Sequence, residues 1–96
     1  VTLLDLHSTS GEGPPFAILS DHAPARALAR AIEAPAVLGL HKNVRGTLID
    51  WVEELGHTSV VLEAGQNAAP VTRARHRAAA WLALESLGLL ETGVRD

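Results

Sequence analysis

The chain has 96 residues, 47% of them apolar and 3% aromatic, enough for one small domain with a core of Leu, Val, Ile and Ala. Eleven acidic against eight basic residues give a net charge of -3, which argues against nucleic acid as a partner because phosphate binding needs a basic surface. There is no cysteine, so neither a disulfide framework nor a thiolate zinc cluster is open to it. No apolar run approaches the roughly 18 residues of a membrane helix, and no signal peptide is visible, so a cytoplasmic protein with no membrane partner is expected.

The first stretch, VTLLDL (residues 1–6), is short, apolar and partly β-branched, and reads as a buried strand. The chain begins at Val1 inside that strand, an abrupt start that suggests a single domain or part of one, cut from a longer protein. STSGEGPP (8–15) is punctuated by Gly and Pro and reads as a loop, and FAILS (16–20) as a second strand. DHAPARALARAIEAP then has helical character. Asp21 is a candidate cap, Pro24 suits a first turn, and Ala25, Leu28, Ala29 and Ile32 share one face. AVLGL (36–40) is a third short strand, followed by a loop, HKNVRG.

TLIDWVEELG is a helix with Thr47 and Asp50 at capping-box spacing and Gly56 at its end. TSVVLEA (58–64) is a fourth strand, and a last helix runs from Pro70 to Leu87. Val71, Ala74, Ala78, Trp81 and Leu82 are its expected buried face, and Gly88 ends it. Apolar strands alternating with helices predict an α/β fold, a mostly parallel or mixed sheet flanked by helices.

In such sheets ligands bind beyond the carboxyl ends of the strands. His7 and Glu63 are the polar residues at two of those ends. A single histidine at a strand end is most often structural, and a catalytic zinc site wants three protein ligands. Asp5, two residues earlier on the same face, is either a further ligand or a carboxylate that orients the imidazole, or else simply solvated. Glu63 interrupts an otherwise apolar strand. It suits a general base beside an activated water and equally a carboxylate that reaches solvent, and position alone does not decide.

Other candidates carry less. Two glycines in SGEGPP lead into a strand rather than a helix, unlike a phosphate cradle. No G-x-S-x-G surrounds Ser8 or Ser10. His22, His41, His57 and His76 form no metal-ligand spacing and read as surface or capping residues, and Arg73, Arg75 and Arg77 as a solvated helix face.

Taken together, D-L-H at Asp5–His7 with the small hydroxyl residues after it, Gly46-Thr47 before a helix, and E-A-G-Q at Glu63–Gln66 before a long helix resemble the succinylglutamate desuccinylase/aspartoacylase family. That family is a branch of the zinc carboxypeptidase-like hydrolases. The resemblance runs along nearly the whole chain, in order. It implies part of a zinc-carboxypeptidase-like fold and a zinc-dependent deacylase acting on N-acyl amino acids or similar small amides or esters.

Under the resemblance His7 is a zinc ligand, Glu63 is the base that takes a proton from the attacking water, and Asp5 supports His7. Ser8, Thr9 and Gln66 line the substrate pocket. The family's other two zinc ligands come from an upstream H-x-x-E, which these 96 residues do not contain. The family's substrate-binding arginines lie largely in that upstream part and cannot be assigned to Arg26, Arg45 or residues 73–77. The chain alone is therefore expected to bind zinc weakly or not at all and to be inactive. An apolar sheet edge left open would invite self-association into a dimer or higher oligomer. The alternative is a non-catalytic α/β binding or assembly module on the same scaffold, a reading that the missing H-x-x-E favours.

Overall fold

The computed structural model describes residues 1–40 and 47–89. His41 and Arg45, and the Gly46 of the Gly-Thr pair, lie outside the described residues. The elements in chain order are β1 (Thr2–Thr9), β2 (Phe16–Leu19), α1 (Ala23–Ala31), β3 (Ala36–Leu38), α2 (Leu48–Glu54), β4 (Thr58–Gln66) and α3 (Pro70–Ser86). The four strands form one mixed sheet in the order β1-β4-β2-β3. β4 is central, parallel to β1 and antiparallel to β2, while β2 and β3 pair in parallel. The expected α/β architecture is therefore present.

β4 has two faces because side chains alternate along a strand. Val60, Leu62 and Ala64 join Ala17 and Leu19 of β2 in the main core, where α1 contributes Ala25, Leu28 and Ala29 and α3 contributes Ala79 and Ala83. The opposite face carries Ser59, Val61 and Glu63, and it is the side on which Ile49 of α2 joins Val61 at a shared cleft. Helices thus cover both faces, α1 and α3 on one and α2 on the other.

Local chemistry sets the helix ends. Thr47 caps α2, its hydroxyl accepting from Asp50 N at 3.2 Å, and Gly56 takes the left-handed conformation just beyond the helix, at φ 84. α1 buries the face expected of it. It does not use Asp21 as its cap: His22 holds that position without a side-chain bond. A cap at Asp21 would have placed Pro24, which has no N–H, where a capped donor belongs. Asp21 instead pairs with Arg26. At the far end of the sheet, Ser20 donates to Glu53 at 2.7 Å and His22 stands 3.4 Å from the same carboxylate, tying β2 to the last turn of α2.

Two expectations fail. β1, read as a buried strand, has no buried residue and is exposed from Leu6 to Thr9, because it lies at the sheet edge and among the described residues pairs with β4 alone; β3, at the other edge, is exposed throughout. In α3, Val71, Ala74 and Ala78 are exposed and Trp81 and Leu82 half-buried, whereas Thr72, Ala79 and Ala83 are buried. The helix is rotated so that small residues meet the sheet and polar side chains reach the strand ends. No helix among the described residues is long and apolar enough to cross a membrane.

Candidate functional site

Parallel pairing sets Asp5 beside Val61 and His7 directly beside Glu63. Asp5, His7 and Glu63 consequently share one sheet face, and they line a cleft of about 610 Å³, well within the size range of small-molecule sites. Ile18 and Val61 form its apolar floor, and Leu40 with Thr47, Leu48 and Ile49 from the start of α2 forms its wall. The sequence reading did not assign the α2 residues to the site. Their only signal was that the capped helix start follows β3 in the chain.

The imidazole stands between two carboxylates. His7 Nε2 is 3.0 Å from Asp5 Oδ2, and His7 Nδ1 is 3.6 Å from Glu63 Oε1. An ionised Asp5 can only accept, so Nε2 carries the proton and donates. In the neutral ring that tautomer turns the Nδ1 lone pair toward Glu63. The gap is too long for a hydrogen bond and brings two acceptors face to face. The other Glu63 oxygen, Oε2, is buried and without a partner among the described residues. Glu63 is 16% exposed, against 48% for His7. A half-enclosed carboxylate with one unmet oxygen, facing an oriented imidazole lone pair, suits a donor or a cation between them.

Zinc fits this arrangement in part. A histidine that donates its second ring nitrogen to a carboxylate is the usual form of a metal-ligating imidazole. His7 and Asp5 have that relation. Among the described residues, however, no group of three His, Cys, Asp or Glu side chains could hold a metal ion. The chain offers one oriented nitrogen ligand rather than a complete set.

The other expected site residues lie elsewhere. Ser8 and Thr9 belong to β1 rather than to a loop, because pairing with β4 resumes at Thr9 and Gln66 beyond an irregularity. Ser8 donates to Asn67 Oδ1 at 2.6 Å and Thr9 to Gly11 O at 2.8 Å, while Gln66 Oε1 accepts from Ala68 N at 3.2 Å. None of the three lines the cleft. Gln66 lines a smaller cavity with Glu12, Gly65 and Arg75.

The irregularity is a bulge: one residue of β1, Ser8, lies opposite two of β4, Ala64 and Gly65. Gly65 has φ 129, and a Cβ there would lie 2.9 Å from Thr72 Oγ1 and 3.1 Å from Arg75 Nη1. Thr72 donates to Gln66 O at 2.7 Å, Arg75 to Ala64 O at 2.9 Å, and His76 Nε2 lies 2.8 Å from His7 O. Three α3 side chains thus hold the backbone just after Glu63 and at His7. Arg75 and His76 were expected at a solvated surface. They are half-buried and serve as positioning residues. Their signal was spacing: 72, 75, 76, 79 and 83 form one helical stripe, occupied by small and polar residues instead of large apolar ones.

No protein-family model matches the chain, and no curated protein does. Among solved structures, the chain is similar to a protein of the same α/β architecture, matched twice at a TM-score of 0.78 and 26% identity. That protein is the ectoine utilization protein EutE (DoeB) from Ruegeria pomeroyi, in a product-bound and an apo structure. The likeness covers 99% of this chain and 32% and 33% of those chains, so the chain spans about a third of that protein's length.

Proposed function

We propose that the chain carries the histidine–glutamate half of the active site of a zinc-dependent hydrolase. Its substrates would be N-acyl amino acids or related small amides or esters. The observation that carries this reading is the row Asp5–His7–Glu63 across two parallel strand ends, with the Nδ1 lone pair and an unpartnered carboxylate oxygen turned into one cleft. The likeness to a protein of ectoine utilization, solved with its product, supports small-molecule chemistry on this scaffold.

In this mechanism Asp5 fixes the ring of His7, and His7 offers Nδ1 as one ligand. Bound zinc would polarise the substrate carbonyl and acidify water. Glu63 accepts the proton of the attacking water and returns it to the leaving amine or alcohol. The apolar floor of Ile18 and Val61 keeps bulk water away from the reacting carbonyl. The remaining ligands have to come from residues outside those described, as an upstream H-x-x-E would provide.

The test is metal analysis on this chain and on a version extended upstream in its gene. Stoichiometric zinc in the extended protein, lost on His7→Ala, is the expected result. Zinc that survives His7→Ala would remove His7 from the site. Absence of zinc from the extended protein would favour the non-catalytic module.

A further inference from the structure

Regular pairing between β1 and β4 ends at the two residues that carry the chemistry. His7 lies against Glu63, the register then shifts, and pairing resumes at Thr9 and Gln66. The ladder therefore reaches both residues from the chain before them and is interrupted directly after them. A bulge bends its strand and re-aims the side chains beside it, so the aim of His7 and Glu63 depends on what holds the backbone there. Three carbonyls at this break are held by α3. His76 Nε2 is 2.8 Å from His7 O, Arg75 Nη1 donates to Ala64 O at 2.9 Å, and Thr72 Oγ1 donates to Gln66 O at 2.7 Å. A carbonyl oxygen only accepts, so Nε2 of His76 carries the proton. Positions 72, 75 and 76 lie on one helix face, yet their acceptors divide between the strands. His76 bonds to β1, at the residue that offers its imidazole to the cleft. Arg75 and Thr72 bond to β4, on either side of Gly65, and a Cβ at Gly65 would meet those same two side chains.

We infer that α3 positions the two halves of the site separately: His76 sets the imidazole of His7, and Arg75 with Thr72 sets the carboxylate of Glu63. The inference rests on the hydrolase reading for the roles of His7 and Glu63. None of the three α3 residues lines the cleft, so each acts through the strand residue it holds. The two holds differ in consequence. A ligand whose backbone is released loses its aim, and with it metal affinity, as happens when the partners behind metal ligands are removed. A base displaced by part of an ångström leaves the metal bound and slows the chemical step. One helix face therefore governs metal affinity through one residue and turnover through its neighbours.

The experiment compares variants of the upstream-extended protein by zinc titration against a chromophoric chelator, by kcat on an N-acetyl amino acid at saturating zinc, and by the 15N shifts of the His7 ring in the metal-free protein. His76→Ala removes the donor, and His76→Gln keeps an N–H. Arg75→Met and Arg75→Lys make the same comparison on β4. His76→Ala should raise the zinc dissociation constant about 10–100-fold and draw the two ring-nitrogen shifts of His7 together, with both effects largely reversed in His76→Gln. Arg75→Met should leave the His7 shifts in place and lower kcat about 10–100-fold, with Lys recovering part of the loss. Ala and Met are good helix formers. If His76→Ala nevertheless unfolds, His76→Met removes the same donor. Zinc affinity and kcat that fall in equal proportion in both series, or Gln behaving as Ala does, would overturn the inference. So would zinc in the unsubstituted protein with affinity and His7 shifts unmoved by His76→Ala, and that result would leave the hydrolase reading standing. Absence of zinc from the unsubstituted protein would overturn both.

Discussion

The two faces of β4 invite comparison, since nine consecutive residues serve two purposes by alternation alone. The face toward α1 and α3 presents Val60, Leu62 and Ala64, none more than 3% exposed. The face toward the cleft presents Ser59, Val61 and Glu63, and the two buried side-chain oxygens without partners among the described residues, Ser59 Oγ and Glu63 Oε2, both lie there. One face is satisfied and silent. The other holds polar groups whose needs the fold does not meet. Burying an unmet polar atom costs on the order of 1–3 kcal/mol, a cost tolerated in a strand whose other face is fully packed. Stability and chemistry are thus separated by a single step along one strand.

The sharpest way to break that separation is Glu63→Gln in the upstream-extended protein. Turnover should fall by about 10²–10⁴, the usual share of a general base, with zinc content and melting temperature held. Turnover that persists would leave Glu63 without a chemical role. The mirror experiment is Leu62→Ala, one residue away on the packed face. It should cost about 2–5 kcal/mol in urea unfolding, and a cost no larger than that of Glu63→Gln would abolish the distinction between the faces. Gly65→Ala probes the bulge that follows both. A Cβ at φ 129, against Thr72 and Arg75, should cost about 1–3 kcal/mol and lower the activity of the extended protein by displacing Glu63. Full activity would show that the bulge does not position the carboxylate. The smallest effect belongs to Thr47→Ala at the cleft wall, where the lost cap should cost about 1 kcal/mol, read as a shift in the urea midpoint.

Much of this contrast was legible in the residues. Glu63 stood out as a charge in an apolar strand, the D-x-H alternation put Asp5 and His7 on one face, and i, i+3, i+4, i+7 spacing found the buried face of α1. What was not legible came from pairing that hydrophobicity does not encode. The exposure of β3 follows from its rank in the sheet, which no local pattern reveals. The rotation of α3 follows from hydrogen bonds to strand-end carbonyls by Thr72, Arg75 and His76. These bonds outweigh the apolar preference of Val71 and leave it in solvent. The extension of β1 through Ser8 and Thr9, residues that read as loop, depends on a bulge in a strand more than 50 residues later.

That distance along the chain governs the order of events during synthesis. β1 is made before β4, its partner in the sheet among the described residues, with Thr2 set against Thr58. At about 5–20 residues per second, the ribosome needs roughly 3 to 11 seconds to bridge the interval. Throughout it TLLDL is without the β4 strand it pairs with. His7 and Glu63 therefore meet only once β4 has been made, and the nascent protein passes that time with the β4-facing edge of β1 uncovered.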